Sequence, residues 1–392
     1  MAYLTEEDRK YTTPEDICAH VGDEYGKFMG AVVPPIFQNS LFVRSTEFNG
    51  VPPTPYSYSR VSNPTVDIAE RKIAALEGGD GALCFSAGMG AISSAILHFA
   101  RAGCHVVIVD TSYGPTLGFV KGYLHERFNI DYTLVNGSSV EEIRDAIRPE
   151  TRLIYLESPS SMVFRMQDLG AVSAIAREKG IGTVIDNSYA TPLNQNPLKH
   201  GVDIVCHTAS KYMGGHSDIV AGALVSRREI IESIQNNERA LLGNNMDPFA
   251  ASLLIRGLRT LPVRMPQHAA NAEKVAAFLE SSPKVKQVFY PGSKTYAQND
   301  LFRKYMKRAS GLMSFVPAGT WQEVVRFTAR LRYFQNGCSW GGFESLAIPM
   351  GSDADSRAAG RPENLVRLHV GLENVDTLIA DLDQALSELP DA

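Results

Sequence analysis

A chain of 392 residues with 44% hydrophobic and 21% charged side chains is too long for one typical core and carries enough apolar material for two domains. Its formal net charge of -5, with no long run of like charge, excludes the basic face of a nucleic-acid binder. The five cysteines, Cys18, Cys84, Cys104, Cys206 and Cys338, are scattered and form no C-x-x-C pair, so neither a metal site nor a disulfide framework is expected.

Reduced thiols fit a cytoplasmic setting. Residues 1–10 lack the basic start and apolar core of a signal peptide, and no apolar stretch is long enough for a membrane span.

In chain order, Val32 to Phe37 and Val51 to Pro55 are interrupted by proline and cannot be helix interiors. The first fifty-odd residues therefore read as an extended arm, bounded at 1–57 and expected to lie on a neighbouring subunit. From Asp67 to Glu77 the apolar spacing is helical, and Gly78-Gly79 ends it. Five short apolar runs then read as strands: Gly81–Phe85, Cys104–Asp110, Thr151–Glu157, Gly182–Asp186 and Val202–Cys206. Ala91–Ala100 suits a buried core helix, and Val140–Ile147 and Ala171–Lys179 read as helices between strands.

Such alternation predicts an α/β domain over 58–245 with a mainly parallel sheet, and ligands in such sheets bind beyond the strands' carboxyl ends. The rhythm changes after Met246. An amphipathic helix over Met265–Glu280, strands over Val285–Tyr290, Leu312–Val316 and Leu365–Val370, and helices over Trp321–Leu331 and Asp376–Leu389 predict a smaller α+β domain over 246–392. Ser352 to Glu363 reads as a polar loop.

The chemistry centres on His207-Thr208-Ala209-Ser210-Lys211-Tyr212, after a strand and before Gly214-Gly215. A lone lysine is usually a solvated surface group. Here two hydroxyls flank it, which suits a phosphate beside an amine that forms a Schiff base with an aldehyde. Asp186 ends an apolar strand, where it reads either as a turn residue or as a carboxylate facing the ring nitrogen of pyridoxal 5′-phosphate (PLP).

Ser86-Ala87-Gly88-Met89-Gly90 joins a strand to a helix and offers backbone N–H groups to a phosphate, or simply packs the helix. Tyr113 follows a strand end, either half-buried at the surface or stacked on a ring. Arg60, within Tyr58-Ser59-Arg60, is a surface charge or a phosphate fork. Arg367 stands in an apolar strand and needs an anionic partner, either a structural acid or a substrate carboxylate.

Taken together, Tyr58-x-Arg60-x-x-Asn63-Pro64-Thr65, Ser86-x-Gly88-Met89, Leu156-Glu157-Ser158-Pro159, Asp186-Asn187, Ser210-Lys211-Tyr212, Arg256-Gly257-Leu258-Arg259-Thr260-Leu261 and Arg367-Leu368-x-x-Gly371 occur in order across nearly the whole chain. The pattern resembles the Cys/Met-metabolism family of PLP-dependent enzymes. The resemblance implies a fold-type I architecture with a mainly parallel seven-stranded sheet and a homotetramer built from tight dimers. It implies that Tyr58 and Arg60 reach the phosphate of a neighbour's PLP, that Gly88 and Met89 give phosphate-binding amides, and that Thr208 and Ser210 add hydroxyls. It further implies that Tyr113 stacks on the ring and takes part in catalysis, Asp186 faces its nitrogen, Lys211 carries the cofactor, and Ser339 and Arg367 meet the substrate, a small sulfur amino acid.

Within that family Ser339-Trp340-Gly341-Gly342-Phe343-Glu344-Ser345 is most similar to bacterial cystathionine β-lyases, and Cys338, Pro115 and Ser160-Ser161-Met162 depart from the γ-acting members. A carbon–sulfur lyase performing β-elimination is expected, with γ-elimination or γ-replacement as the alternative. Ala240 stands where a bacterial β-lyase would carry tyrosine.

Overall fold

The computed structural model describes residues 3–351 and 353–392; Met1, Ala2 and Ser352 lie outside them, and with them the first residues of the expected arm and of the expected polar loop. Among the described residues the larger sheet has seven strands: β1 (Gly81–Phe85), β2 (His105–Val109), β3 (Asp131–Val135), β4 (Thr151–Glu157), β5 (Gly182–Asp186), β6 (Ile204–His207) and β7 (Gly222–Ser226). Their order is β1-β7-β6-β5-β4-β2-β3, and β7 runs antiparallel to both its neighbours while β6, β5, β4, β2 and β3 pair in parallel. The mainly parallel sheet expected from the alternation is therefore present.

The strands missing from the sequence reading have a physical reason. β3 is an edge strand with exposed residues, and β7 is a five-residue run sandwiched between β1 and β6. Neither offers a period that sets it apart from a loop.

Helices cover both faces, as a parallel sheet requires. Helix α1 (Pro14–His20) and helix α2 (Pro64–Glu77) pack with Ala82, Cys84, Ala223 and Val225 on one side. On the opposite side helix α3 (Gly88–Phe99) buries Ala91, Ile92, Ala95 and Ile96 against Leu83, Phe85, Val106 and Ile108. Asn63 caps α2 by accepting from the Thr65 N–H at 3.0 Å, Pro64 opens it, and Gly78 closes it at φ 75°.

Helix α1 corrects the predicted arm. Ile17, Cys18 and Val21 are buried in the chain's own core, and the Arg71 guanidinium donates to Asp8 at 2.8 Å, so residues 5–28 belong to this subunit's body. Residues 29–57 are mostly exposed, with Met29 97% and Phe48 94% accessible, although Tyr56 reaches back to Asp67 of α2.

The second correction concerns the helix expected over Met265–Glu280, which runs from Pro248 to Ser281 through Pro262 and Pro266. Asp247 caps it by accepting from the Phe249 N–H at 2.8 Å. An interior proline costs about 3 kcal/mol, but Leu254, Ile255, Leu258, Leu261 and Met265 are all buried on this half, and their packing outweighs that cost. The helix therefore bridges the 245/246 boundary: its first half packs on the large domain, and Ala272, Val275 and Leu279 pack on the small one.

The small domain holds a second sheet in the order β10-β11-β12-β9-β8, with β8 (Val285–Phe289), β9 (Leu312–Pro317), β10 (Gln335–Asn336), β11 (Leu346–Met350) and β12 (Leu365–His369). Four of the five cysteines are buried and Cys338 is exposed. No helix among the described residues is long and apolar enough to cross a membrane.

Candidate active site

Parallel pairing brings the carboxyl ends of β4, β5 and β6 together. Glu157 pairs with Asp186, and Asp186 with Cys206. Asp186 is buried, and its Oδ1 accepts from the Ser188 N–H at 2.9 Å. Burial raises its carboxyl above the usual range, while Ser188 and the charges of His207 and Lys211 pull it back.

The chain leaving β6 turns tightly, with the Lys211 N–H donating to the Thr208 carbonyl at 3.1 Å and the Gly215 N–H to the Lys211 carbonyl at 2.8 Å. Lys211 Nζ donates to Ser339 Oγ at 2.8 Å and lies 5.4 Å from the centre of the Trp340 ring. Burial lowers the amine below its usual value, and Arg367 lowers it further. Trp340 also stands 5.4 Å from the Tyr212 ring.

Gly341 makes this approach possible. Its φ is 86°, and a Cβ there would stand 2.6 Å from the Tyr212 nitrogen. Its N–H donates to His369 Nε2 at 3.0 Å, which clamps the segment carrying Ser339 and Trp340 onto β12. Gly341 was legible in the sequence as part of a motif but carried no role there.

Arg367, on β12, pairs across the sheet with Ser314 and Ile348. Its Nη2 donates to the Cys338 carbonyl at 2.5 Å and to the Ser339 carbonyl at 3.4 Å. Among the described residues it has no ion pair with an Asp or Glu, and burial lowers its guanidinium below the ordinary value. Of the two sequence alternatives, the structural acid is thus not found.

Tyr113 is brought to the same place. It precedes helix α4 (Gly114–Gly118), its N–H donates to Glu157 Oε2 at 2.6 Å, and its phenol is raised by burial and then by the charge of Asp186.

Close to Thr208, α3 begins at Gly88 behind Ala87, with no side chain capping its N–H groups. A Cβ on Gly88 would come within 2.3 Å of Thr208 Oγ1, so the helix start and the Thr208 turn are in close register. Met89 Sδ accepts from Thr116 Oγ1 at 3.8 Å. The Thr208 N–H donates to Ser188 Oγ at 2.6 Å. Ser210 Oγ accepts from the Ala221 N–H at 2.8 Å and donates to the Ala221 carbonyl at 3.2 Å, so its hydroxyl serves the turn.

Tyr58 and Arg60 stand apart. Arg60 Nη1 donates to the Ala240 carbonyl at 2.6 Å, its guanidinium lies 5.4 Å from the Tyr58 ring centre, and neither residue bonds to the Lys211 cluster among the described residues. Behind the cluster, Glu77 Oε1 lies 2.7 Å from His207 Nε2 and accepts from Asn187 Nδ2 at 2.9 Å, a buried support that no sequence motif signalled.

An amine of lowered basicity, a buried carboxylate, an uncapped helix start and a guanidinium with no acid partner among the described residues come together around these strand ends. The family model of Cys/Met metabolism PLP-dependent enzymes matches residues 15–387. The chain belongs to that family. Its cofactor is PLP, and the donor set fits that group: α3 and Thr208 offer an anion site, and Asp186 offers a buried acid.

The chain is similar to the L-methionine γ-lyase of Porphyromonas gingivalis, 39% identical over 92% of this chain and 94% of that protein. It is also similar to the cystathionine β-lyase of Lactococcus lactis subsp. cremoris, 37% identical over 94% and 97%. The crystal structure of metB from Corynebacterium glutamicum superposes with a TM-score of 0.91 at 34% identity, covering 96% of this chain and 98% of that one. The protein is a PLP-dependent enzyme of the carbon–sulfur lyase type in methionine and cysteine metabolism.

Proposed function

We propose that the enzyme catalyses β-elimination of cystathionine, or of a related cysteine thioether or disulfide, to a thiol, pyruvate and ammonia. The observation that carries a lyase reading of the cleft is the convergence on Ser339. The Lys211 amine reaches its hydroxyl at 2.8 Å and the Arg367 guanidinium its carbonyl at 3.4 Å. A substrate α-carboxylate gripped by Arg367, with help from Ser339, would present its Cα–H to an amine whose proton affinity burial and then Arg367 lower.

Lys211 would hold the cofactor and take the α-proton. Asp186 would keep the ring nitrogen protonated. The Gly88 and Met89 amides and the Thr208 and Ser210 hydroxyls would hold the phosphate, Ser210 exchanging its Ala221 bond for it. Tyr113 would stack on the ring, and its phenol, raised by burial and then by Asp186, would give a proton to the departing sulfur. Bound PLP supplies the sink for the electron pair left on Cα.

Support for β-chemistry comes from Trp340 against the Lys211 amine and from Pro115 and Cys338 in place of the residues usual in γ-acting members. The second reading, γ-elimination, draws on the L-methionine γ-lyases at 36% to 39% identity, against 37% for the cystathionine β-lyases. Cystathionine, cystine and methionine assayed side by side decide between them: pyruvate marks β-chemistry, and 2-oxobutyrate in its place sinks the first reading.

The working form we propose is a homotetramer of tight dimers. Exposed Met29, Val32, Val33 and Phe48 on residues 29–57 offer apolar surface for a neighbour, and Tyr58 and Arg60, apart from this subunit's Lys211, would serve the neighbour's phosphate. Free thiols fit a cytoplasmic location.

A further inference from the structure

Two carboxyl groups meet at the ends of the central strands, and the proposed reaction uses one of them. Glu157 closes β4, pairs with Asp186 across the parallel step and is 7% accessible. Its Oε2 accepts from the Tyr113 N–H at 2.6 Å and its Oε1 from Ser161 Oγ at 2.6 Å. The Ser161 N–H donates to the Thr111 carbonyl at 3.0 Å, and Thr111 Oγ1 donates to Ser160 Oγ at 2.8 Å. The turn that carries Tyr113 is thereby tied to the turn that follows β4.

The Tyr113 carbonyl accepts from the Thr116 and Leu117 N–H groups at 2.9 and 3.1 Å, which ties it to α4, and the short bond to Glu157 holds its N–H at the head of that helix. A buried acid beside a second acid is an expensive way to fill space, and an apolar side chain would pack there at lower cost. We propose that Glu157 is a positioning residue for Tyr113, holding its backbone N–H so that the phenol stays over the cofactor site and within reach of the leaving sulfur. The proposal rests on the role given to Tyr113 above.

The groups that face Glu157 are Asp186 from β5, Tyr155 from its own strand and Tyr113 from the turn before α4. Burial and then Asp186 push the Glu157 carboxyl up to about 8, so near neutrality it carries a proton. Glutamine reproduces that form: its carbonyl accepts from the Tyr113 N–H and its amide donates to Ser161 Oγ, which turns from donor to acceptor as it would beside the protonated acid. Aspartate keeps the acid but withdraws it by one methylene.

The test compares Glu157→Asp, Glu157→Gln and Tyr113→Phe holoenzymes, reading kcat, KM and the visible circular dichroism that an asymmetrically stacked ring gives to PLP. In Glu157→Asp we expect kcat to fall by about tenfold to a hundredfold, as a misplaced catalytic group costs, with KM little changed and the dichroic band weakened. Glu157→Gln should recover most of both, and Glu157→Asp combined with Tyr113→Phe should be no worse than Tyr113→Phe alone.

If Tyr113→Phe is impaired while Glu157→Asp keeps the wild-type kcat and dichroism, the positioning role is overturned and the reading of Tyr113 stands. A Glu157→Asp protein that loses melting temperature alone has the same meaning. If Tyr113→Phe is itself unimpaired, the role given to Tyr113 fails first. Should Glu157→Asp not fold, Glu157→Met keeps the length and removes the acceptor of the Tyr113 N–H instead, and an unchanged kcat and dichroic band there overturn the proposal.

Discussion

Arg367 tests the site at its least ordinary feature, a half-buried cation with no acid beside it among the described residues. Its guanidinium leans on the Cys338 and Ser339 carbonyls, and burial holds it below its usual basicity, so the free enzyme bears a cost that substrate relieves. Arg367→Lys keeps the charge but loses the planar fork that grips a carboxylate through two parallel bonds. One charge-assisted hydrogen bond is worth about 1.5–3 kcal/mol, and each 1.4 kcal/mol is about tenfold. The variant should therefore lose about tenfold to a hundredfold in kcat/KM, mostly through KM, because the carboxylate is held equally before and during the reaction. Arg367→Met should lose more activity and yet be as stable as wild type or more so, by up to about 2 kcal/mol, as when a strained functional group is removed. Steady-state kinetics and thermal melts of the holoenzymes read both. A loss of kcat with unchanged KM in Arg367→Lys, or a clear fall in melting temperature in Arg367→Met, would refute an unpaired cation waiting for substrate carboxylate.

Lys211→Ala should abolish turnover and the visible absorbance of bound PLP, and retention of both would remove the covalent anchor from the account. Gly341→Ala should cost about 1–3 kcal/mol in backbone strain alone, with added loss from a Cβ 2.6 Å from the Tyr212 nitrogen, and should weaken PLP absorbance by pushing Lys211 aside; melts and spectra like wild type would contradict that contact. Burial holds His268 down to about 4, and burial with His268 beside it holds His369 down to about 3, both below the ordinary 6.5. The unfolded chain therefore binds more protons between those values and 6.5, so stability should be full above 6.5 and fall as pH drops toward 3. Urea midpoints measured across that range should show the fall, shallower in His268→Gln; equal slopes in the two proteins would mean that other groups govern it.

The strands Gly81–Phe85, Thr151–Glu157 and Gly182–Asp186 were readable to the residue, because strands buried on both faces are continuous apolar runs with polar ends. That pattern also placed Asp186 at a strand end and Lys211 in the turn after a strand, and the ordered motifs gave the family and its cofactor. Local pattern failed where packing overrides local preference. Pro262 and Pro266 hid half of the long helix, and residues 14–20 fold onto the body of the chain because α2 and the long helix cover them.

Residue order alone could name the amine, the acid and the guanidinium but could not bring them together. Ser339 bonded to Lys211, Glu157 bonded to the Tyr113 backbone and Arg367 bonded to the Cys338 carbonyl are relations between segments far apart in the chain. Sheet register and the docking of the small domain create them, since a hydrogen bond or its absence depends on where two side chains end up in space.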